Sequence, residues 1–296
     1  MNDILIMTDS ASDITKEVEK ELNVVRVINI PITINGKGYY EREDFTNDEF
    51  YKILNECDEI PTTAHITSPV FMEEFQKAYK EGYKDIIYVS INKNGSATYD
   101  ASVKGKEMFF EENPDAEGKF GIHLVPSGTF SMGYGRTVIR AAEYLQKKSP
   151  SVAELVEFMK KEIINTDTVF VVPNLKFAKK SGRLSATATF MGEMMGIRPL
   201  LIFREGKSII KEKIRGDKHI IPAICKYYEE NVGEEDKDYM IITGENTDIG
   251  DELEQYIYEK TGQKALGKLK EGACIAINAG PQVLGISFTN KNKNEL

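Results

Sequence analysis

The sequence predicts an α/β protein of two domains, a parallel α/β N-terminal domain over residues 1–165 and an α+β C-terminal domain over 166–296. Three observations carry this expectation. The chain has 296 residues, about two domains' worth at roughly 150 residues each. Short apolar runs alternate with helix-period segments through the first half, the pattern of a parallel sheet covered by helices. After about residue 165 hairpins enter the alternation.

Ile4-Leu5-Ile6-Met7 is a continuous apolar run, suited to a strand buried on both faces. Thr8-Asp9-Ser10-Ala11-Ser12-Asp13 follows, then a helix over 14–22 and a second strand over 24–30. Residues 32–40 read as a hairpin turning on Asn35-Gly36. Phe50, Ile53, Leu54 and Cys57 share a helical face, with Cys57 as a small core residue; Phe71, Phe75 and Ala78 share another. Strands are expected at 86–89 and 122–125. Helices are expected at 99–110, around Val138 to Leu145, and around Leu155 to Ile163. In the second half the spacing predicts a strand at 168–172, a helix at 175–180 and a hairpin around Glu205-Gly206. Two helix–strand pairs then lead to final strands at 274–278 and 284–288.

Lys and Arg number 38 against 47 Asp and Glu, a net charge of −9. An acidic chain repels phosphate backbones, so nucleic acid is not an expected partner. Only Cys57, Cys225 and Cys274 are present, which argues against a disulfide framework and fits a reducing compartment. His65, His123 and His219 lack metal-ligand spacing. The N-terminus shows no basic region before an apolar run, and no apolar stretch approaches 18 residues. The expectation is a cytoplasmic protein without stable membrane insertion, metal or cofactor.

Common catalytic motifs are missing. Gly133-Tyr134-Gly135 lacks the third glycine of a dinucleotide fingerprint, and Gly206-Lys207-Ser208 lacks the first glycine of a phosphate loop. No serine sits in a nucleophile elbow. Hydroxyl-rich loops remain at the ends of expected strands: Asp9-Ser10, Asn94 to Tyr99, and Pro126 to Gly133. Ligands in open α/β sheets sit beyond the carboxyl ends of strands, and hydroxyls with free amides suit an anionic oxygen. Helix capping alone accounts for any one of these loops; the three together with Thr62-Thr63 point to a shared anion site as much as to capping.

Taken together, these segments resemble the DegV family, fatty-acid-binding proteins that serve as FakB subunits of bacterial fatty acid kinases. Thr8-Asp9-Ser10 with Asp13 resembles the family's opening. Pro61-Thr62-Thr63-Ala64-His65 resembles its Thr-Ser-Gln-Pro-Ser segment, and Ser96-Ala97-Thr98-Tyr99 its Ser-Gly-Thr-Tyr. Ser127 to Gly133 resembles a further hydroxyl-rich stretch. Ser181-Gly182-Arg183-Leu184-Ser185 resembles Gly-Gly-Arg-Ile-Ser, Gly196-Ile197-Arg198-Pro199 its Ile-Lys-Pro, and Asn278-Ala279-Gly280-Pro281 its closing His-x-Gly-Pro. The series runs in order along nearly the whole chain.

The resemblance implies a DegV-like two-domain fold with a ligand cleft between the domains, enclosing one long-chain fatty acid. Thr63, Ser96, Ala97, Asn278 and Gly280 are the implied fatty-acid-binding residues, and Arg183 the implied docking contact for an ATP-dependent fatty acid kinase subunit. The protein would present the carboxylate for acyl phosphate formation and would not itself be an enzyme. Met191, Met194 and Met195 are candidates to line the tail. Departures from the family pattern include Ala64, His65, Ala97, Pro126 and Ser181. Asn278 stands where the family has His and cannot take up a proton. Thr67-Ser68 is an alternative placement of the Thr-Ser pair. The alternative function is a hydrolase or transferase of a small anionic substrate using Ser10 or Ser96, for which no base is evident.

Overall fold

Why the first strand is continuous in hydrophobicity becomes plain from its neighbours. In the computed structural model, which describes residues 3–185 and 196–291, β1 (Ile4–Asp9) is buried along its whole length. It lies between two parallel partners, and side chains on both of its faces are buried, as in a sheet covered on both sides. Contacts divide the chain into two units, one of residues up to Asp44 with Thr62–Ile163, the other of Phe45–Pro61 with residues from Ile164 onward.

In the first unit, β1 leads through a short turn of 3₁₀ helix into α1 (Lys16–Leu22). The Thr15 side chain caps α1 by accepting from the Val18 amide. β2 (Val25–Ile28) follows. The hairpin of β3 (Pro31–Ile34) and β4 (Lys37–Tyr40) turns on Asn35 and Gly36, both at positive φ (49° and 76°), as a two-residue hairpin turn requires. β5 (Thr62–Thr63) pairs with β3. Then come α3 (Ser68–Lys80), β6 (Asp85–Ser90), α4 (Thr98–Glu112), β7 (Gly121–Pro126) and α5 (Met132–Lys148). The main sheet has the order β2-β1-β6-β7, all parallel. α3 crosses α4 closely at Gly105, where an added Cβ would lie 2.6 Å from the Phe71 Cβ.

Between the hairpin and β5 the chain forms α2 (Asn47–Glu56), started by a capping box in which Thr46 and Glu49 each satisfy the other's backbone. This helix belongs to the second unit. Its Asn47 amide donates to Lys270 O, and its Tyr51 hydroxyl to Glu271 O. The expected division into 1–165 and 166–296 takes no account of this segment. Nothing in its linear pattern distinguishes a helix packing on nearby residues from one packing on residues far along the chain.

α6 (Val152–Asn165) precedes the second sheet. That sheet combines β8 (Thr166–Val171), β9 (Ile197–Arg204), β10 (Lys207–Arg215), β11 (Tyr239–Thr243), β12 (Gly267–Lys270) and β13 (Leu284–Thr289) in the order β10-β9-β8-β13-β11-β12. Only β11 and β12 run parallel; the other pairs are antiparallel. The β9–β10 hairpin turns on Glu205 and Gly206, again both at positive φ. α7 (Leu175–Ser181), α8 (Ile220–Asn231), α9 (Asp248–Thr261) and α10 (Ala273–Ala279) complete the unit. Its core gathers Val169, Ile202, Ile224, Ile241, Leu253 and Ile286.

Two expectations are corrected here. Residues 274–278 form the helix α10, not a strand. The segment is buried nearly all round, so its apolar run carries no period to separate strand from helix. Cys57 lies one residue beyond α2 in extended backbone and is half-buried, not a core residue on the helix face.

Asp167, fully buried on β8, illustrates how this unit holds a charge. Its carboxylate accepts from Arg204 at 2.8 and 3.1 Å, from the Tyr227 hydroxyl at 2.7 Å and from the Asn290 amide at 2.8 Å. Removing one partner of such a buried pair leaves an uncompensated charge, at a cost of about 3 kcal/mol. Arg204→Met should therefore lower the urea midpoint with an unchanged slope, whereas Lys226→Met at the exposed pair with Glu230 should leave it within error.

Candidate functional site

The carboxyl ends of β1, β6 and β7 lie side by side because the strands are parallel neighbours. The loops that follow them are joined by hydrogen bonds. The Ile30 amide, just after β2, donates to Ser10 Oγ at 2.9 Å. The Asn92 amide donates to Thr129 O, and the Ser131 amide to Ala11 O, each at 2.9 Å. Gly95 lets the 92–97 loop approach the Phe130 ring, where an added Cβ would stand 2.6 Å from a ring carbon. The hydroxyl-rich segments of the sequence thus form one connected rim on the first unit.

Asp9 anchors the rim. It ends β1 and is fully buried. Its Oδ2 accepts from the Tyr88 hydroxyl at 2.8 Å and the Ile91 amide at 2.9 Å; its Oδ1 accepts from the Tyr134 hydroxyl at 2.6 Å. Burial pushes the Asp9 carboxyl above its ordinary value, and the hydrogen bonds from Tyr134, Ile91 and Tyr88 pull it back. Burial, and then the Asp9 charge, push the Tyr88 hydroxyl well above its own. Close by in sequence, Ser131 stands at φ 54°, ψ −141° and donates to the Asp13 carboxylate at 2.5 Å.

Thr63 lies in β5, paired with Ile32 of β3, and is half-buried. Ser96 is half-buried and Ala97 exposed at the start of α4. The segment carrying Thr63 and the loop carrying Ser96 meet at Thr98, a residue fully buried in the first turn of α4. The Ile66 amide donates to Thr98 Oγ1 at 3.4 Å, and Thr98 Oγ1 lies 2.9 Å from Ser96 Oγ. The Thr98 amide also donates to Ser96 Oγ at 3.3 Å. Thr98 is the functional candidate that sequence reading passed over, although it stands within the Ser96 to Tyr99 segment. Its signal is a hydroxyl two residues after Ser96 at a helix start, a spacing that permits a local side-chain bond.

The serines of the hydrolytic alternative are differently placed. Ser10 is 2% exposed, and its Oγ is occupied by the Ile30 amide. Among the described residues, Ser96 Oγ meets only Thr98. Of the histidines, His123 lies 2.9 Å from Asp85, while His65 and His219 are exposed.

In the second unit, Asn278 is half-buried on α10 and donates from Nδ2 to Cys274 O at 2.7 Å, one turn back on its own helix. Gly280 ends that helix at φ 98°, and an added Cβ would touch the Phe177 ring of α7 at 3.0 Å. Arg183 is exposed just beyond α7, and its guanidinium donates to Ser181 O at 2.6 Å, a favourable place for a cation at a helix C-terminus. Met191, Met194 and Met195 lie outside the described residues. Among the described residues no group of three or more His, Cys, Asp or Glu could hold a metal ion, and no helix is long and apolar enough to cross a membrane.

A parallel sheet with a polar, hydroxyl-lined rim in one unit, and a mixed sheet in the other, define a two-unit α/β fold. The chain belongs to the DegV family: a profile described as uncharacterised protein of that family matches residues 3–291. A DegV domain-containing protein of Clostridium perfringens is 26% identical over 98% of this chain and 99% of its own. One from Caldanaerobacter subterraneus is 28% identical over 98% and 100%. Among solved structures, a DegV family protein from Thermus thermophilus described for its fatty acid binding matches with a TM-score of 0.83 at 23% identity, over 97% of this chain and 99% of that one. A stearic acid-binding protein from Eubacterium ventriosum matches with a TM-score of 0.84 at 18% identity, over 98% and 99%. The shared architecture is the fold described above.

The Asp9 cluster sets a pH dependence whose sign follows from its geometry. A carboxyl raised in the folded state contributes stability at low pH, and that contribution is lost as pH rises through the folded value. Tyr134→Phe removes a donor to the anion, raises the folded value further and enlarges that loss. The variant should be less stable than the parent by about 2 kcal/mol at pH 8 and by about 1 kcal/mol at pH 4. Urea unfolding of both proteins at the two pH values checks it; a difference that does not grow with pH counts against the charge assignment.

Proposed function

We propose that this protein binds a long-chain fatty acid and holds its carboxylate at Thr63 and Ser96. The observation that carries the reading is the rim of hydroxyl and amide donors at the carboxyl edge of the parallel sheet, in a family whose structural relatives are described as fatty acid-binding. A carboxylate leaving water needs donors. Thr63 and Ser96 both keep their side chains half-buried, partly shielded from water yet open to a ligand. Ala97, Asn278 and Gly280 belong to the same proposal as further ligand contacts. The acyl chain supplies affinity at ~0.8 kcal/mol per buried methylene, and the donors set its orientation.

The proposal extends to a partner. The bound acid is presented to an ATP-dependent fatty acid kinase subunit, which transfers phosphate to the carboxylate. Arg183 is the docking contact. Its guanidinium is exposed, bonded among the described residues to Ser181 O, and flanked by exposed Lys179 and Lys180. Such a group recognises carboxylate or phosphate on another protein.

Denaturing extraction of the purified protein, followed by lipid analysis, should recover a long-chain fatty acid at near-stoichiometric amount. Recovering none, with no uptake of added palmitate or oleate, sinks the proposal. Ser96→Ala and Thr63→Ala each remove one charge-assisted hydrogen bond, worth roughly 1.5–3 kcal/mol, so palmitate affinity should fall about 10- to 100-fold. Arg183→Ala should leave palmitate affinity and thermal stability unchanged while strongly reducing acyl phosphate formation in a reconstituted assay with kinase subunit and ATP. Full phosphorylation by that variant would move the docking surface elsewhere.

A further inference from the structure

Two hydroxyls 2.9 Å apart share one hydrogen bond, and distance alone does not say which gives the proton. At Ser96 and Thr98 the surroundings decide it. A hydroxyl offers one donor and two acceptor positions. Thr98 Oγ1 receives the Ile66 amide, and Ser96 Oγ receives the Thr98 amide. Suppose Ser96 gave its proton to Thr98. Thr98 Oγ1 would then accept twice, and its own proton would need a third partner. Thr98 is fully buried, and among the described residues no other acceptor lies within its reach. An O–H left unmade in such a place is strongly disfavoured. The proton therefore runs from Thr98 to Ser96. Both acceptor positions of Ser96 Oγ are then filled, by the Thr98 hydroxyl and the Thr98 amide. The one group that the half-buried Ser96 can still offer is its own O–H.

We infer that Thr98 is a positioning residue that turns Ser96 into a one-way hydrogen-bond donor, and that this polarity selects a carboxylate over head groups that must themselves donate. The chain Ile66 N–H to Thr98 O–H to Ser96 O–H points every proton toward the ligand. A carboxylate only accepts, and a charge-assisted bond to it is about twice as strong as a neutral one. An alcohol or primary amide carries protons that find no acceptor at Ser96. The inference rests on the proposed placement of the ligand carboxylate at Ser96 and adds the reason for its selectivity.

The test compares palmitate with hexadecanol, each measured by displacement of a bound fluorescent long-chain fatty acid. In the parent protein palmitate binds more tightly. Thr98→Val keeps the volume but removes the hydroxyl, which frees an acceptor position on Ser96. The ratio of the two affinities should fall about 5- to 10-fold. Thr98→Ser restores the hydroxyl and should restore the ratio. Thr98→Cys, with its weak donor, should give an intermediate ratio and takes the place of the valine variant if that one does not fold. In a Ser96→Ala background, Thr98→Val should leave the ratio unmoved, because the hydroxyl it orients is gone.

A ratio unchanged in Thr98→Val, or equal weakening of both ligands, overturns the inference. Equal weakening is what a purely structural role for Thr98 produces. The two levels of the argument fail differently. If Ser96→Ala itself leaves palmitate affinity intact, the carboxylate is not at Ser96 and the proposed function's site is wrong. If Ser96→Ala weakens palmitate and Thr98→Val leaves the ratio alone, only the one-way polarity is wrong.

Discussion

The first unit is arranged around a buried carboxylate. Asp9 ends β1 with no access to water, so its two oxygens must be met by protein donors. Those donors include Tyr88 on β6, Tyr134 on α5, the Ile91 amide just past β6 and the Ala11 backbone just past β1. Satisfying one side chain thereby fixes two strands, a helix and the start of a loop relative to one another. The loops beyond these strands inherit that placement. The Asn92 and Ser131 amides find carbonyls in neighbouring loops, and the rim of hydroxyls follows from them.

The second unit meets a similar demand by other means. Asp167 on β8 is equally buried, but a guanidinium stands beside it. Arg204 is partly desolvated, yet the bond and charge of Asp167 hold its proton more firmly than usual. Burial and the Asp167 charge likewise push the Tyr227 hydroxyl upward. One buried acid is thus met by neutral hydroxyls and backbone amides, the other by a cation as well. The difference matters for chemistry, because an acid held by neutral groups stays sensitive to any change in their number.

The same contrast runs through the proposed ligand site. Its candidate contacts in the first unit are hydroxyls and amides at the ends of strands, not cations. Neutral donors suit a single carboxylate whose affinity comes mostly from an apolar tail. They also place the burden of discrimination on the direction of protons rather than on net charge. On that proposal, the fully buried Thr98 bears on what the half-buried Ser96 can recognise.

The strand and helix order was legible in the sequence wherever burial is one-sided or the turn chemistry is specific. The Asn35-Gly36 and Glu205-Gly206 hairpins, the capped start of α1 and the apolar run of β1 all follow from local rules of backbone and period. The hydroxyl loops could be read as well, since their residue types lie in single short segments. Residues 274–278 were misread because a run buried all round has no period, and Cys57 because a helix end depends on backbone geometry that its apolar neighbours do not encode. What only the tertiary structure decided are relations between distant residues: α2 joining residues some two hundred positions later, the donors around Asp9, and the Ile66 to Thr98 to Ser96 relay. A hydrogen bond has a direction and a reach of about 3 Å, so which hydroxyl gives its proton to which is settled only when the whole chain has brought the partners together.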